Sequence, residues 1–381
     1  VSKPERIALV CVCAVGAAFS ANYTNHAPVV PALIAEFHFN QTLAGLLTTG
    51  IFLTHAALQV PGGHLADRLG PRRVLTAAML VVCAGNFAIG FATSYAQLLA
   101  SKIVVGVGTG TSFVSGARYL SHLFAGRRLH VVQGLFGASI LLGSGFVIFA
   151  VPQFLAAFGW RGAFFATATV AALALGLWVV AAPPCPEGQA PAGSVGQMLA
   201  DRRLWRLGLV QMASFGLVIV VGSWIATLLR GRFGWSPAHA GLAGSLVLLL
   251  GIVTRPLGGS LTPRVGARRL IVASLLASAA GCFLLSAHAA TPAMAMAAIG
   301  LLGIGCGLPY AALFTRAAAL YPGRAGAAMG LVNMLGIVMI LAGAPLVGRL
   351  ADWTGNFQSS FLALGAFTLV ASAAALGIRE S

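Results

Sequence analysis

The run Gly63-His64-Leu65-Ala66-Asp67-Arg68-Leu69-Gly70-Pro71-Arg72-Arg73 joins two long apolar stretches. A turn in that position connects two membrane helices. Its glycines let backbones approach and the chain reverse. Its three arginines cannot cross a bilayer and hold the turn on the cytoplasmic side. Asp67 can accept hydrogen bonds from a neighbouring helix end or from an arginine, so Gly63, Asp67, Arg68, Gly70, Arg72 and Arg73 are expected to act as a conformational latch. A second copy, Gly259-Ser260-Leu261-Thr262-Pro263-Arg264-Val265-Gly266-Ala267-Arg268-Arg269, follows 196 residues later. The chain therefore reads as two related halves.

Only 8% of the 381 residues are charged and 59% are hydrophobic. A soluble domain carries about 25% charged residues, so most of this chain belongs in lipid. A spanning helix takes about 20 apolar residues. The apolar segments predict twelve, at roughly 6–35, 42–65, 72–92, 97–123, 130–152, 160–182, 204–230, 237–261, 268–288, 292–319, 325–350 and 357–378. The first has no small-residue cleavage site after a short apolar core and reads as a membrane helix, not a signal peptide. Pro183-Pro184-Cys185-Pro186-Glu187-Gly188 opens a breaker-rich linker. The expected organisation is an N-terminal six-helix bundle over 1–182, a cytoplasmic linker over 183–203 and a C-terminal six-helix bundle over 204–381.

The net charge of +16 is mostly topological. With the N-terminus inside, fifteen Lys and Arg residues fall in the cytoplasm, and only Arg161, Arg230, Arg232 and Arg349 fall outside. The expectation is a multi-pass protein of a bacterial-type inner (plasma) membrane with both termini cytoplasmic, acting as a monomer without nucleic acid. Cys11, Cys13, Cys83, Cys282 and Cys306 lie in apolar segments and Cys185 in the linker, with no disulfide or zinc spacing. No cofactor, metal or catalytic residue is expected, and an enzyme is not indicated.

The paired loops resemble the signature of the major facilitator superfamily, found between its second and third helices and again between its eighth and ninth. Gly106-Val107-Gly108-Thr109-Gly110 answers Gly303-Ile304-Gly305-Cys306-Gly307, and Gly126-Arg127 answers Gly323-Arg324, both at an offset of 197. The resemblance implies an all-α membrane protein of twelve transmembrane helices in two pseudo-symmetric six-helix halves. It also implies alternating-access transport, with substrate bound near the midplane.

The membrane interior is unusual in its charges. Glu5, Glu36, Asp67, Glu187, Asp201, Asp352 and Glu380 all fall in loops or at helix ends, whereas Lys102, Arg118, Arg255 and Arg316 fall within apolar segments. A charge at a helix centre costs about 2.5–3.5 kcal/mol on the insertion scale, so such groups face a cavity or a partner. Cations without carboxylates favour an anion. Arg255 is the deepest and the expected main ligand, helped by Arg118 or Arg316, since a guanidinium fork suits planar oxyanions. Lys102 stands in the place of the arginine of the superfamily's fourth-helix motif. Thr254-Arg255-Pro256-Leu257-Gly258-Gly259 resembles the eighth helix of the nitrate/nitrite porters, where such an arginine holds the anion; Gln59 stands where that family has a second arginine.

Asn22-Tyr23-Thr24-Asn25-His26-Ala27-Pro28 is a polar cluster in the first helix, loosened by Pro28 and Pro31. Tyr23, Asn25 and His26 can hydrogen-bond a substrate, with Gln59, Tyr310 and Asn333 as further candidates. His26 and His55 are candidate proton carriers. The reading is a secondary transporter of a small anion, nitrate/nitrite-like or a short carboxylate, working by proton symport or anion exchange. The alternative is a proton-driven exporter of drugs or lipophilic solutes, although the fifth helix lacks a Gly-Pro-Gly-Gly-type run and the membrane interior lacks a carboxylate.

Overall fold

The computed structural model describes residues 2–185 and 194–378. Residues 186–193 of the linker, Glu187 among them, and Arg379 and Glu380 lie outside the described residues. The described chain is helical throughout. Ten helices are each long and apolar enough to cross a bilayer, and a bent pair makes an eleventh span. The longest, Gly126–Ala181, divides at Gly159 (φ 68°, ψ 179°) and supplies the twelfth. The twelve expected transmembrane helices are present, and they are numbered here as helices 1 to 12 in chain order.

Several ends differ from expectation for identifiable reasons. Helix 1, Lys3–Phe37, is interrupted after Thr24, where Asn25 and His26 form a turn before the short 3₁₀ segment Ala27–Val29. Pro28 and Pro31 account for the break, since each removes a backbone donor. Helix 2 is two pieces, Gln41–Ala57 and Gln59–Leu69, bent by 42°. Pro61 lacks the N–H that would reach Ala57, and its ring crowds that carbonyl, which places the bend there. Helix 5 runs unbroken past Pro152 to the Gly159 reversal instead of ending at 152. Among its described residues the linker contains a short helix, Val195–Ala200, started by a reciprocal Ser194–Gln197 capping box.

The chain folds as two compact units. Unit one holds Val1–Ala125, Ser139–Gly193 and Ala318–Gly330; unit two holds Gly126–Ala138, Ser194–Ala317 and Leu331–Ser381. In each unit the outward surfaces carry large apolar side chains, such as Phe149, Val180, Leu346 and Val370, as a lipid-covered surface requires. Buried side chains such as Phe19, Leu75 and Trp178 fill unit one, and Leu217, Ile225 and Phe361 fill unit two.

The repeat survives in backbone detail. Gly70 (φ 88°, ψ 133°) and Gly266 (φ 92°, ψ 140°), 196 residues apart, each separate two helices with nearly the same dihedrals. That region of backbone space is open essentially only to glycine. A second correspondence lies in the helix crossings. In unit one, Gly63 abuts the backbone of Gly326 and Gly330 abuts the carbonyl of Gln59. In unit two, Gly259 abuts the carbonyl of His130 and Gly134 abuts the carbonyl of Arg255. Each residue of the first set is the counterpart of one in the second at an offset of 196. Small residues of this kind let helix backbones touch in lipid, where dispersion and not the hydrophobic effect drives helix packing.

Candidate functional site

In unit two, Arg255 is 3% exposed although it carries a full charge. Pro256 follows it in the helix Pro237–Val265. Its Nη1 donates to the carbonyl of Gly137 at 2.7 Å, and its guanidinium lies 4.4 Å from the ring centre of Tyr310 and 5.7 Å from that of Phe215. Gly137 permits this arrangement because a Cβ there would strike the Tyr310 ring. Cation–π contact of a desolvated arginine with an aromatic face contributes about 2 kcal/mol. Tyr310 in turn packs on Phe314, 4.7 Å between ring centres.

Phe215 belongs to a single π-helical turn, Met212–Gly216, between the α-helical pieces Arg202–Gln211 and Leu217–Phe233 of helix 7. Such bulges are rare and concentrate at functional sites. The residue before this turn, Gln211, is fully buried and donates to Asn333 Oδ1 at 3.1 Å. Arg316 is half-buried and lies within electrostatic reach of His130, whose Nδ1 is 2.8 Å from Thr315 Oγ1. A cavity of about 610 Å³ elsewhere in unit two is lined by Trp224, Arg232, Asp352 and Phe357, and not by Arg255, Tyr310 or Asn333.

Unit one holds two further clusters. The Tyr23 ring meets Phe52 at 5.3 Å and His55 at 5.7 Å, both edge-on. His55 Nδ1 is 2.9 Å from Thr109 Oγ1, and His26 Nε2 is 2.8 Å from Thr48 Oγ1. Gln59 is fully buried, with its amide 3.4 Å from the Gly110 carbonyl. Asn25 is engaged by Lys102, a residue whose role the sequence left open: Lys102 is 1% exposed and donates to Asn25 Oδ1 at 2.6 Å. Asn86 and Thr167, which complete that network, were not anticipated. A lone asparagine in the apolar helix Pro71–Gly90 was the available signal.

The second cluster is built on the loop. Asp67 Oδ1 and Oδ2 accept from the backbone N–H groups of Gly326 and Ala327, each at 3.0 Å, and Oδ1 lies 2.7 Å from Arg118 Nε. Both kinds of partner expected for Asp67, a helix end and an arginine, are therefore present. The arginine is Arg118, which the sequence offered as an anion ligand; its charge is engaged by Asp67 in this structure. Arg72 donates to the Val179 carbonyl at 3.0 Å, and Arg324 and His64 approach to 3.2 Å. Arg68 and Arg73 are exposed, while Gly63, inside the helix Gln59–Leu69, and Gly70, which alone separates it from the next helix, are buried.

Twelve apolar helices, a twofold backbone repeat and buried cations define a polytopic membrane transporter of the two-repeat class. The chain belongs to the Major Facilitator Superfamily, whose family model matches residues 12–231 and 207–380. It is a family of transporters and not of enzymes. The chain is 26% identical to the probable nitrate/nitrite antiporter of Thermus thermophilus, over 86% of this chain and 81% of that protein. It is 28% identical to the 2-nitroimidazole transporter of Escherichia coli K12, over 97% of this chain and 94% of that protein. In structure it resembles the human organic anion transporter MFSD10, with a TM-score of 0.81 at 18% identity, covering 98% of this chain and 100% of that one. At that identity the likeness speaks for the fold alone.

Proposed function

We propose that the chain is a secondary transporter of a small anion, nitrate/nitrite-like or a short carboxylate, with Arg255 as its principal ligand. The observation that carries this reading is the setting of Arg255, a buried guanidinium anchored through Nη1 and backed by the Tyr310 ring. A guanidinium fixed by packing offers a planar fork to an oxyanion at little further entropic cost. The nitrate/nitrite antiporter among its relatives supports the same class of cargo. Tyr310 and Asn333 are the neutral polar groups of that unit assigned to orient the anion, and Arg316 is its second cation. Transport proceeds by proton symport or by anion exchange in the inner membrane, with a monomer as the working unit and both termini in the cytoplasm.

A second reading has its own support. The E. coli relative is named for a nitro-heterocycle, and unit one holds an aromatic cluster of Tyr23, Phe52 and His55 of the kind that packs against a flat ring. One experiment separates the two: thermal unfolding of purified protein with a panel of nitrate, nitrite, short carboxylates and 2-nitroimidazole. A ligand at about 100 times its Kd adds about 2.7 kcal/mol of stability. Stabilisation by one of the anions supports the first reading, and stabilisation by the heterocycle alone replaces it with the second.

A further inference from the structure

Unit one encloses a lysine that has no part in the anion site. Lys102 is among the largest fully buried side chains of the molecule. Among the described residues its partners are all neutral: Asn25 Oδ1 at 2.6 Å, the Asn22 carbonyl at 3.3 Å, and the Phe164 ring with its centre 5.3 Å away. Asn25 is held in place because its Nδ2 donates to Asn86 Oδ1 at 3.0 Å and to Thr167 Oγ1 at 2.7 Å. Asn86 Nδ2 donates in turn to the Val82 carbonyl at 3.0 Å. These bonds orient the Asn25 carbonyl oxygen toward the lysine.

The count of donors and acceptors is informative. A neutral amine has two N–H groups, and the site supplies two acceptors within reach. An ammonium has three. Asn22, which gives its carbonyl to the amine, also carries a buried Oδ1 with no hydrogen-bond partner among the described residues. Its amide nitrogen is already committed to the carbonyls of Ala18 and Thr167, so the remaining atom is an acceptor by elimination. The two acceptors satisfy a neutral amine, and the residue whose carbonyl meets that amine retains one unsatisfied buried acceptor. An unpaired charge in a dry interior is expensive, and a lysine, unlike an arginine, can relieve that cost by releasing its proton.

We propose that Lys102 takes up and releases the proton that couples transport. This rests on the anion-transport reading above and commits it to proton coupling. The Nζ lone pair accepts a proton from water on one side of the membrane, and the ammonium returns it to water on the other. Because coupling between bound proton and bound cargo is reciprocal, a state that favours one favours the other.

The surrounding titratable groups are few. Helix 1 contributes Tyr23 and His26, and His26 lies within electrostatic reach of Lys102. Helix 2 contributes His55, bonded to Thr109 two turns further along the lysine's own helix. Helix 3 contributes Cys83, one turn from Asn86, and helix 6 contributes Arg161, which is paired with Glu36 at 2.8 Å. On helix 4 itself, Tyr95 lies near one end and Arg118, paired with Asp67, near the other.

The chain contains only two lysines, Lys3 and Lys102, which makes a direct test available. Wild-type protein labelled with ¹³C at lysine Cε should show two signals, assigned by Lys3→Arg. The Lys102 signal is expected to change charge state within the pH range over which a pH gradient drives accumulation. A signal constant across that window overturns the proposal. In proteoliposomes, Lys102→Gln and Lys102→Arg are each expected to keep anion-for-anion exchange at equal pH and to lose accumulation driven by a pH gradient. Gradient-driven accumulation at the wild-type level in either variant also overturns it. If wild-type protein moves none of the anions, the anion reading fails. The lysine titration then decides alone: a charge change supports Lys102 as a protonation site, and its absence refutes it.

Discussion

The carbonyl of Arg255 lies against Gly134 so closely that no side chain fits at Gly134. The counterpart pair at an offset of 196, Gln59 and Gly330, makes the same crossing. One scaffold is thus built twice, with a guanidinium at one copy and a neutral amide at the other. On the proposed reading, that asymmetry is what gives a symmetric frame its preference for negative charge.

Gly134→Ala and Gly330→Ala are expected to destabilise to a similar degree, by about 1–3 kcal/mol each, because the new Cβ meets backbone that cannot yield. Gly145→Ala is the control. A Cβ there has open space, so it should be neutral or gain up to about 1 kcal/mol from helix propensity. Thermal unfolding in detergent reads all three. Equal effects at Gly134 and Gly145 would contradict the crossing.

Gly70→Ala and Gly266→Ala each force a side chain into backbone dihedrals reserved for glycine. A loss of about 1–3 kcal/mol is expected at each. The two losses should match, since the two turns have nearly the same geometry. A silent substitution at either turn, read by the same unfolding assay, would show that the loop relaxes without cost.

Asp67 is fully buried at its side chain and Arg118 nearly so, at 0% and 10% exposure. Removing one partner leaves the other charge uncompensated, at a cost of about 3–5 kcal/mol. Asp67→Ala and Arg118→Ala are therefore expected to be far from additive, with the double variant less damaged than the sum by at least about 1 kcal/mol. Additive losses would show that the ion pair contributes nothing. Pro263 occupies the counterpart of Asp67, so the second loop has no equivalent carboxylate.

How much of this was legible in the sequence depends on whether the cause is local. Tight turns need glycine and prolines interrupt helices, so the two loops and the loosened first helix could be read from residue type and spacing. Helix ends blurred where lipid-compatible sequence continued through a turn, as at Gly159, because one left-handed residue leaves little trace in an apolar run. The burial of Arg255 was readable because a charge amid leucines has few alternatives. The pairing of Arg118 with Asp67 was not, because it joins different helices and a lone basic residue near a helix end reads equally well as a ligand. The Lys102 network was hidden for the same reason. Asn25, Asn86 and Thr167 lie on three separate helices, and only the fold brings them together.

The most direct test of the central claim is uptake of nitrate, nitrite and short carboxylates into proteoliposomes by wild type, Arg255→Lys and Arg255→Gln. Wild type is expected to take up one of these anions, and Arg255→Gln to abolish that uptake. Arg255→Lys should be strongly reduced, because an ammonium lacks the planar face that stacks on Tyr310 and the fork that grips an oxyanion. Wild-type uptake that persists unchanged in Arg255→Gln, in protein shown to be folded, would contradict the assignment of Arg255 as the anion's ligand.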